Sequence, residues 1–184
     1  LLSNISGDAK PVAVIEDTAI NPEFLPDYIK DLGGVLKKHN LSCIYHAHIG
    51  SGELHLRPVL NLKNKNDVEL FRKIGYEIAG LVKKYKGSMS GEHGDGRLRG
   101  EFIPLVIGDN NYQLLRDIKF CFDPENIFNP GKIIDTPAMN TSLRYETEKA
   151  SKEIDTIFDF SSAGGILKAA EMCNGSADCR KTEV

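Results

Sequence analysis

The sequence, 184 residues long, contains no apolar run approaching the roughly 18 residues that a membrane-spanning helix needs. It also lacks a basic surplus, because 23 Lys and Arg residues stand against 26 Asp and Glu residues. Proteins that bind nucleic acids or anionic membranes need such a surplus. The four cysteines form no dense, regular framework, which argues against a secreted disulfide scaffold. The composition therefore predicts a globular, cytoplasmic protein with no nucleic-acid partner.

The length and the first residues indicate a piece of a longer protein. At roughly 150 residues per domain, the chain makes one domain, or one domain with an extension. It begins with Leu1-Leu2-Ser3-Asn4, which is neither a starting methionine nor a signal peptide. From about Thr136 the composition becomes polar and charged. We therefore expect one folded domain over residues 1–134, a linker or surface-draped tail over 135–162, and a separate short segment over 163–184.

Apolar spacing predicts an α+β fold. Strands, marked by short β-branched or alternating runs, are expected at residues 11–15, 42–49 and 53–60. Helices, marked by apolar residues at helical spacing, are expected to begin at Asn21, at Asn66 and at about Asn111. With a further strand after the second helix, this order is the βαββαβ pattern of a ferredoxin-like domain. We therefore expect an antiparallel sheet with helices on one face, followed by a C-terminal extension.

The second and third predicted strands place histidines on one face of a hairpin. If Ser51-Gly52 is a two-residue turn, His48 lies opposite His55 and His46 lies opposite Arg57. Opposed residues have Cβ atoms about 4.5–5.5 Å apart, and two imidazoles at that separation can hold one metal ion. The other face is apolar, with Tyr45, Ala47, Ile49, Leu54, Leu56 and Pro58. The alternative is an exposed polar sheet face that binds no metal.

A glycine-rich stretch, Ser88–Gly96, supplies a candidate third ligand. Glu92 lies among glycines that allow the backbone to approach a ligand closely. Two histidines and one carboxylate suit zinc, ferrous iron or manganese. The alternative is an ordinary loop in which Glu92 and His93 are solvated. The stretch is not a phosphate loop, because it lacks the Gly-x-x-x-x-Gly-Lys-Ser/Thr spacing.

Three separated motifs resemble the hallmarks of one family, in the same order. They are HAHIGSGELHLRP at His46–Pro58, SMSGEHGDG at Ser88–Gly96 and CFDPENIFNPGKI at Cys121–Ile133. The family is the C-terminal domain of FAD-linked oxidases of the vanillyl-alcohol oxidase type. It includes the glycolate oxidase flavin subunit, D-lactate dehydrogenases and D-2-hydroxyglutarate dehydrogenase. The resemblance covers roughly residues 10–134.

The resemblance implies a domain that caps the substrate side of a flavin. An N-terminal domain outside this chain would bind most of the FAD. In metal-containing relatives the ligands match His48, His55 and Glu92, with zinc as the expected ion, and the catalytic base matches His93. Arg57 falls where relatives place a polar substrate contact, and its guanidinium can bind a carboxylate bidentately.

Two further residues are candidate contacts of the cofactor. Asn129 and Lys132 belong to an Asn-Pro-Gly-Lys turn in the third motif. Lys132 there can approach the flavin or the substrate, and the alternative is a solvated turn lysine. Cys43 and Cys121 are expected to be buried apolar residues.

The implied reaction is the oxidation of a D-2-hydroxy acid, such as a D-lactate-like substrate, to a 2-oxo acid. A bound metal makes the substrate hydroxyl easier to deprotonate, His93 takes that proton, and a hydride passes to the flavin. An iron–sulfur centre or a quinone would then accept the electrons, which also allows a location at the inner face of the membrane. A homodimer is left open, since the face meant for the flavin would be exposed in the fragment.

The last motif, AAEMCNGSADCR at Ala169–Arg180, resembles the junction in long family members that carry a fused iron–sulfur region. The resemblance implies that Cys173 and Cys179 are ligands of a 4Fe-4S cluster that this chain cannot complete. Residues 163–184 would then be the start of a truncated iron–sulfur region.

Two alternatives come from other functional classes. A self-contained metal-dependent hydrolase could use the same two histidines and Glu92, and it would be active without flavin. A non-catalytic ferredoxin-like interaction module would bind no metal, and replacing His48 by alanine would change only its surface charge.

Overall fold

A computed structural model describes residues 7–149, 152–173, 175, 177 and 180 of the chain. Its strands are β1 (Lys10–Pro11), β2 (Ile15–Ala19), β3 (Cys43–His48) and β4 (Glu53–Leu60). Its α-helices are α1 (Leu25–Lys38), α2 (Lys65–Lys84), α3 (Ile103–Ile107), α4 (Asp109–Phe122) and α5 (Ile166–Glu171). The predicted α+β class is confirmed.

The strands form a four-stranded antiparallel sheet with β4 at its centre. The same residues of β4 pair with both β2 and β3, so these two strands lie on opposite edges of β4, and β1 pairs with its last residues. The strand expected after α2 is reduced, among the described residues, to a bridge between Ala19 and Ser88. The strand ends there because Ser90, Glu92 and His93 donate hydrogen bonds to the side chain of Asp17, and not to the backbone of a neighbouring strand.

One core lies between the sheet and the two long helices. Alternate residues of β4 point into it, and their partners on the helices recur every three or four positions. The most deeply buried side chains include Val14, Ile15, Tyr28, Leu32, Leu56, Ile74, Ile78 and Val82. Asn64 caps α2 by accepting hydrogen bonds from the backbone N–H groups of Asn66 and Asp67. The helix therefore begins before the expected Asn66.

The predicted two-residue hairpin turn is wrong. The turn spans residues 49–52, with a 3-10 turn closed by Gly52 at φ 78°. His46 therefore lies opposite His55, and His48 lies opposite Glu53. Because side chains alternate with a period of two along a strand, a shift of two residues keeps every side chain on its predicted face. The histidines and Arg57 therefore still share one face of the sheet, which also carries Glu53.

Replacing Gly52 by alanine is expected to lower the free energy of unfolding by about 2–4 kcal/mol. A Cβ atom at Gly52 would lie 1.8 Å from the carbonyl oxygen of Ile20, and its positive φ disfavours any L side chain. Gly50 is a matched control in the same turn, because nothing lies within 4 Å of the Cβ it would carry. Urea unfolding of both variants checks the prediction, which equal losses of stability would contradict.

Residues beyond Ile133 run back along this domain. Ile134 and Met139 are buried, and Met139 donates its backbone N–H to Glu101. Lys63 pairs with Glu171 of α5 and with Asp8. No helix in the described part of the chain combines the length and apolar character that crossing a membrane requires.

A candidate metal and proton-transfer site

The polar face of the β3–β4 hairpin forms a wall of an open cleft of about 280 Å³. The rings of His46 and His48 lie 5.6 and 5.1 Å from the ring of His55, between centroids. The ring of His93 stacks on His55 at 5.2 Å. The cleft is lined by Glu16, Ile44, His46, His48, His55, Arg57, Glu92 and His93. The fold therefore brings the glycine-rich loop to the histidine face.

The loop is held in place by Asp17, which the sequence analysis did not single out. The first strand was expected to end at residue 15, but Glu16-Asp17-Thr18 belong to β2 and form an irregularity in its pairing with β4. Asp17 is fully buried and has a φ of 82°. Its carboxylate accepts the backbone N–H groups of Glu92 and His93 at 3.0 and 2.9 Å. An acidic pair inside an apolar strand was the only available signal.

Four side chains each offer a ligand atom within 4.8 Å of all the others: Asp17, His55, Glu92 and His93. An oxygen of Glu92 lies 3.6 Å from Nε2 of His55 and 3.1 Å from Nε2 of His93. Of the predicted ligands, His55 and Glu92 thus belong to this group. His48 lies beside it, with its ring against that of His55. The ligand set His48, His55 and Glu92 stays a prediction.

The residues present fit a divalent cation. Glu53 Oε1, which lies 3.9 Å from Nε2 of His55, is buried and has no hydrogen-bond partner among the described residues, although buried polar atoms are normally paired. The 3.6 Å between Glu92 and His55 exceeds a hydrogen bond. It is close to the roughly 3.4 Å that separates two ligands of one tetrahedral zinc ion. Imidazole and carboxylate together are a donor set that zinc, iron and manganese accept.

Negative charge accumulates beneath the cleft. Burial by itself would raise the pKa of Asp17, but the hydrogen bonds it accepts from Ser90 and from the loop backbone outweigh burial and hold that pKa below its ordinary value. The pKa of Glu53 is raised, first by its hydrogen bond with Asp17, then by burial and by the charge of Glu92. A cation in the cleft would offset the repulsion between the carboxylates of Glu53 and Glu92.

Arg57 is already engaged by the protein. Its guanidinium pairs with the buried carboxylate of Glu16, which also lines the cleft. The arginine side chain is one-third exposed, and a guanidinium carries five N–H donors. The predicted contact with a substrate carboxylate therefore has to use the donors that Glu16 leaves free.

The other predicted residues lie outside the cleft. Lys132 donates to the side chain of Asn129 at 2.9 Å, in an exposed turn. This turn is tied to the glycine-rich loop, because Ile133 donates its backbone N–H to Gly96. The contact of Asn129 and Lys132 with a cofactor stays a prediction.

The cysteines differ in exposure. Cys121 was expected to be buried, but it is exposed, because α4 turns that position to solvent. Cys43 is half-buried, and burial raises the pKa of its thiol to about 11. Cys173 is exposed, and Cys179 lies outside the described residues.

Comparisons with known proteins agree on one family. Residues 2–133 match the model for FAD linked oxidases, C-terminal domain. The D-2-hydroxyglutarate dehydrogenase of Pantoea ananatis is 36% identical over 180 residues, covering 97% of this chain and 17% of that protein. The protein of the same name from Escherichia coli is 40% identical over 144 residues, covering 76% of this chain and 14% of that protein. Glycolate oxidase subunit GlcD of Bacillus subtilis is 27% identical over 124 residues, covering 67% and 26%.

Proposed function

Since this chain belongs to the FAD-linked oxidase family, as its C-terminal domain, we propose that it forms the substrate side of a flavin-dependent dehydrogenase. The substrate would be a D-2-hydroxy acid and the product a 2-oxo acid. The observation that carries this proposal is the convergence of His55, Glu92 and His93 on one cleft. The names of the relatives support the substrate class, since 2-hydroxyglutarate and glycolate are both 2-hydroxy acids.

The chain spans only 17% of the length of the Pantoea relative. We therefore propose that FAD is bound mostly by an N-terminal domain of a longer protein, and that this domain is a partner of the present one. When bound, FAD supplies the acceptor for a hydride. Asn129 and Lys132 are the residues of this chain proposed to approach it.

A divalent ion, zinc by expectation, is proposed to be held by His48, His55 and Glu92. When bound, such an ion lowers the pKa of a hydroxyl beside it. The two imidazoles lie on adjacent strands of one hairpin, and Glu92 approaches that of His55 from the glycine-rich loop. Arg57, beside them in the cleft, is proposed to orient the substrate carboxylate.

His93 is proposed as the base that takes the hydroxyl proton at one of its ring nitrogens. Its side chain is 44% exposed and lines the cleft, so a substrate can reach it. Its Nδ1 lies 3.9 Å from a carboxylate oxygen of Asp17. A buried negative charge behind the ring stabilises the imidazolium that forms when the proton is taken up. Loss of this proton together with a hydride from the same substrate leaves a carbonyl group.

The C-terminal segment is proposed to lead into an iron–sulfur region, with Cys173 and Cys179 as ligands of a 4Fe-4S cluster. Two observations support this proposal. Cys173 is exposed and free. The match to the long Pantoea relative covers 97% of the chain, whereas the match to the shorter GlcD covers 67%. The cluster, or a quinone, would then accept electrons from the flavin.

Anaerobic mixing of the longer, FAD-loaded protein with hydroxy acids tests the proposed reaction. A D-2-hydroxy acid is expected to bleach the visible absorption of the flavin within the time of one turnover, and its L enantiomer is expected to leave the absorption unchanged. A panel that includes 2-hydroxyglutarate, lactate and glycolate would rank the substrates. A flavin that stays oxidised with every hydroxy acid, while dithionite still reduces it, would contradict the proposal.

A further inference from the structure

Asp17 connects β2 to the glycine-rich loop by a set of hydrogen bonds that all end on one residue. Its Oδ1 accepts the backbone N–H of Glu92 and its Oδ2 accepts that of His93. Its backbone carbonyl accepts the N–H of Gly91 at 2.8 Å. The hydroxyl of Ser90 donates to Oδ2 and in turn accepts the N–H of Gly94. Ser90, Glu92 and His93, and Gly94 indirectly, thus depend on one buried side chain, and Gly91 depends on the backbone of the same residue.

Arg99 fixes the same arrangement from behind. Its guanidinium donates to the carbonyl of Glu16 at 2.9 Å and to the carbonyl of Gly94 at 2.7 Å. It also lies 3.5 Å from Oδ2 of Asp17. The side chain is 5% exposed, and a buried guanidinium is rare unless it is paired. Arg99 therefore connects Glu16 of β2 to Gly94 of the glycine-rich loop.

Asp17 is placed to hold the loop and not to bind substrate. It is fully buried and does not line the cleft. Both of its oxygens already accept protein N–H or O–H groups. Its φ of 82° is uncommon for a residue other than glycine, and such a conformation persists only where the surroundings enforce it.

We infer that Asp17, supported by Arg99, is a positioning residue that sets the Glu92 carboxylate and the His93 imidazole against His55. The expected effect of Asp17 on metal binding rests on the proposed function, whereas its effect on the loop backbone does not. Partners that orient metal ligands commonly change metal affinity about 10–100-fold when they are replaced.

The test uses the 184-residue chain with cobalt(II), whose visible absorption reports on its ligands. Asp17→Asn replaces one acceptor oxygen by an N–H donor, so one of the two loop N–H groups loses its partner. Cobalt binding is expected to weaken about 10–100-fold, and amide hydrogen exchange of Glu92 and His93 is expected to accelerate. Asp123→Asn is the matched control: Asp123 is a buried aspartate that accepts two backbone N–H groups outside the cleft.

The outcomes separate this inference from the proposed function. Unchanged cobalt affinity and unchanged exchange in Asp17→Asn would overturn the inference, as would equal losses of affinity in Asp123→Asn. If the unsubstituted chain binds no cobalt, the proposed metal site fails in this chain, and the exchange rates alone decide the inference. If Asp17→Asn does not fold, Ser90→Ala, which removes one hydrogen bond to Asp17, replaces it with the same expected directions.

Discussion

Replacement of His93 by alanine in the longer, flavin-containing protein is expected to lower kcat by about 10²–10⁴-fold, the usual contribution of a positioned base. The imidazole is an exposed titratable group beside Glu92, and a buried carboxylate lies behind it. The metal content is expected to stay unchanged, because the proposed ligands are His48, His55 and Glu92. Steady-state kinetics with a D-2-hydroxy acid, together with elemental mass spectrometry of the same sample, checks both expectations.

His46→Ala is the control for this result. His46 lines the same cleft and stacks on His55, but the proposed mechanism gives it no proton to carry, so kcat is expected to change little. Full turnover in His93→Ala would exclude His93 as the base. Loss of the metal in that variant would instead make His93 a ligand, which its place in the four-residue group around His55 would allow.

The second large effect is expected in metal binding. After zinc supplementation and exhaustive dialysis, the purified chain is expected to retain about one equivalent of metal, and Glu92→Ala almost none, since a zinc site of this type needs three protein ligands. Retention is expected to fall as the pH is lowered, because only neutral imidazole binds a metal. Elemental mass spectrometry measures both.

Glu146→Gln is a suitable comparison, since Glu146 is an exposed glutamate paired only with Lys149 among the described residues. It should retain metal as the unsubstituted chain does. Retention of metal by Glu92→Ala would place the ion elsewhere. No metal in any form of the chain would rule out a self-contained metal-dependent hydrolase, whereas the family assignment would still rest on the match of residues 2–133.

The hairpin shows how much of the site follows from local pattern. The alternation of polar and apolar residues in 42–49 and 53–60 correctly placed His46, His48, His55 and Arg57 on one face. The register of the two strands was wrong, because it depends on the conformation of residues 49–52 and on the contact of Gly52 with Ile20. Alternation constrains the face of a side chain, but not which residue lies opposite it.

The sequence by itself determined the α+β class, the two amphipathic helices, the polar face of the hairpin and the family, since each follows from patterns within contiguous runs of residues. Only the tertiary structure decided that Glu92 and His93 lie against His55. It also decided that Glu16 pairs with part of the Arg57 guanidinium and that Asp17 holds the glycine-rich loop. The hydrogen bonds that Asp17 accepts from the backbone N–H groups of Glu92 and His93 join residues 75 and 76 positions apart. No local periodicity specifies such pairs, because they form only when the chain folds and brings the glycine-rich loop against β2.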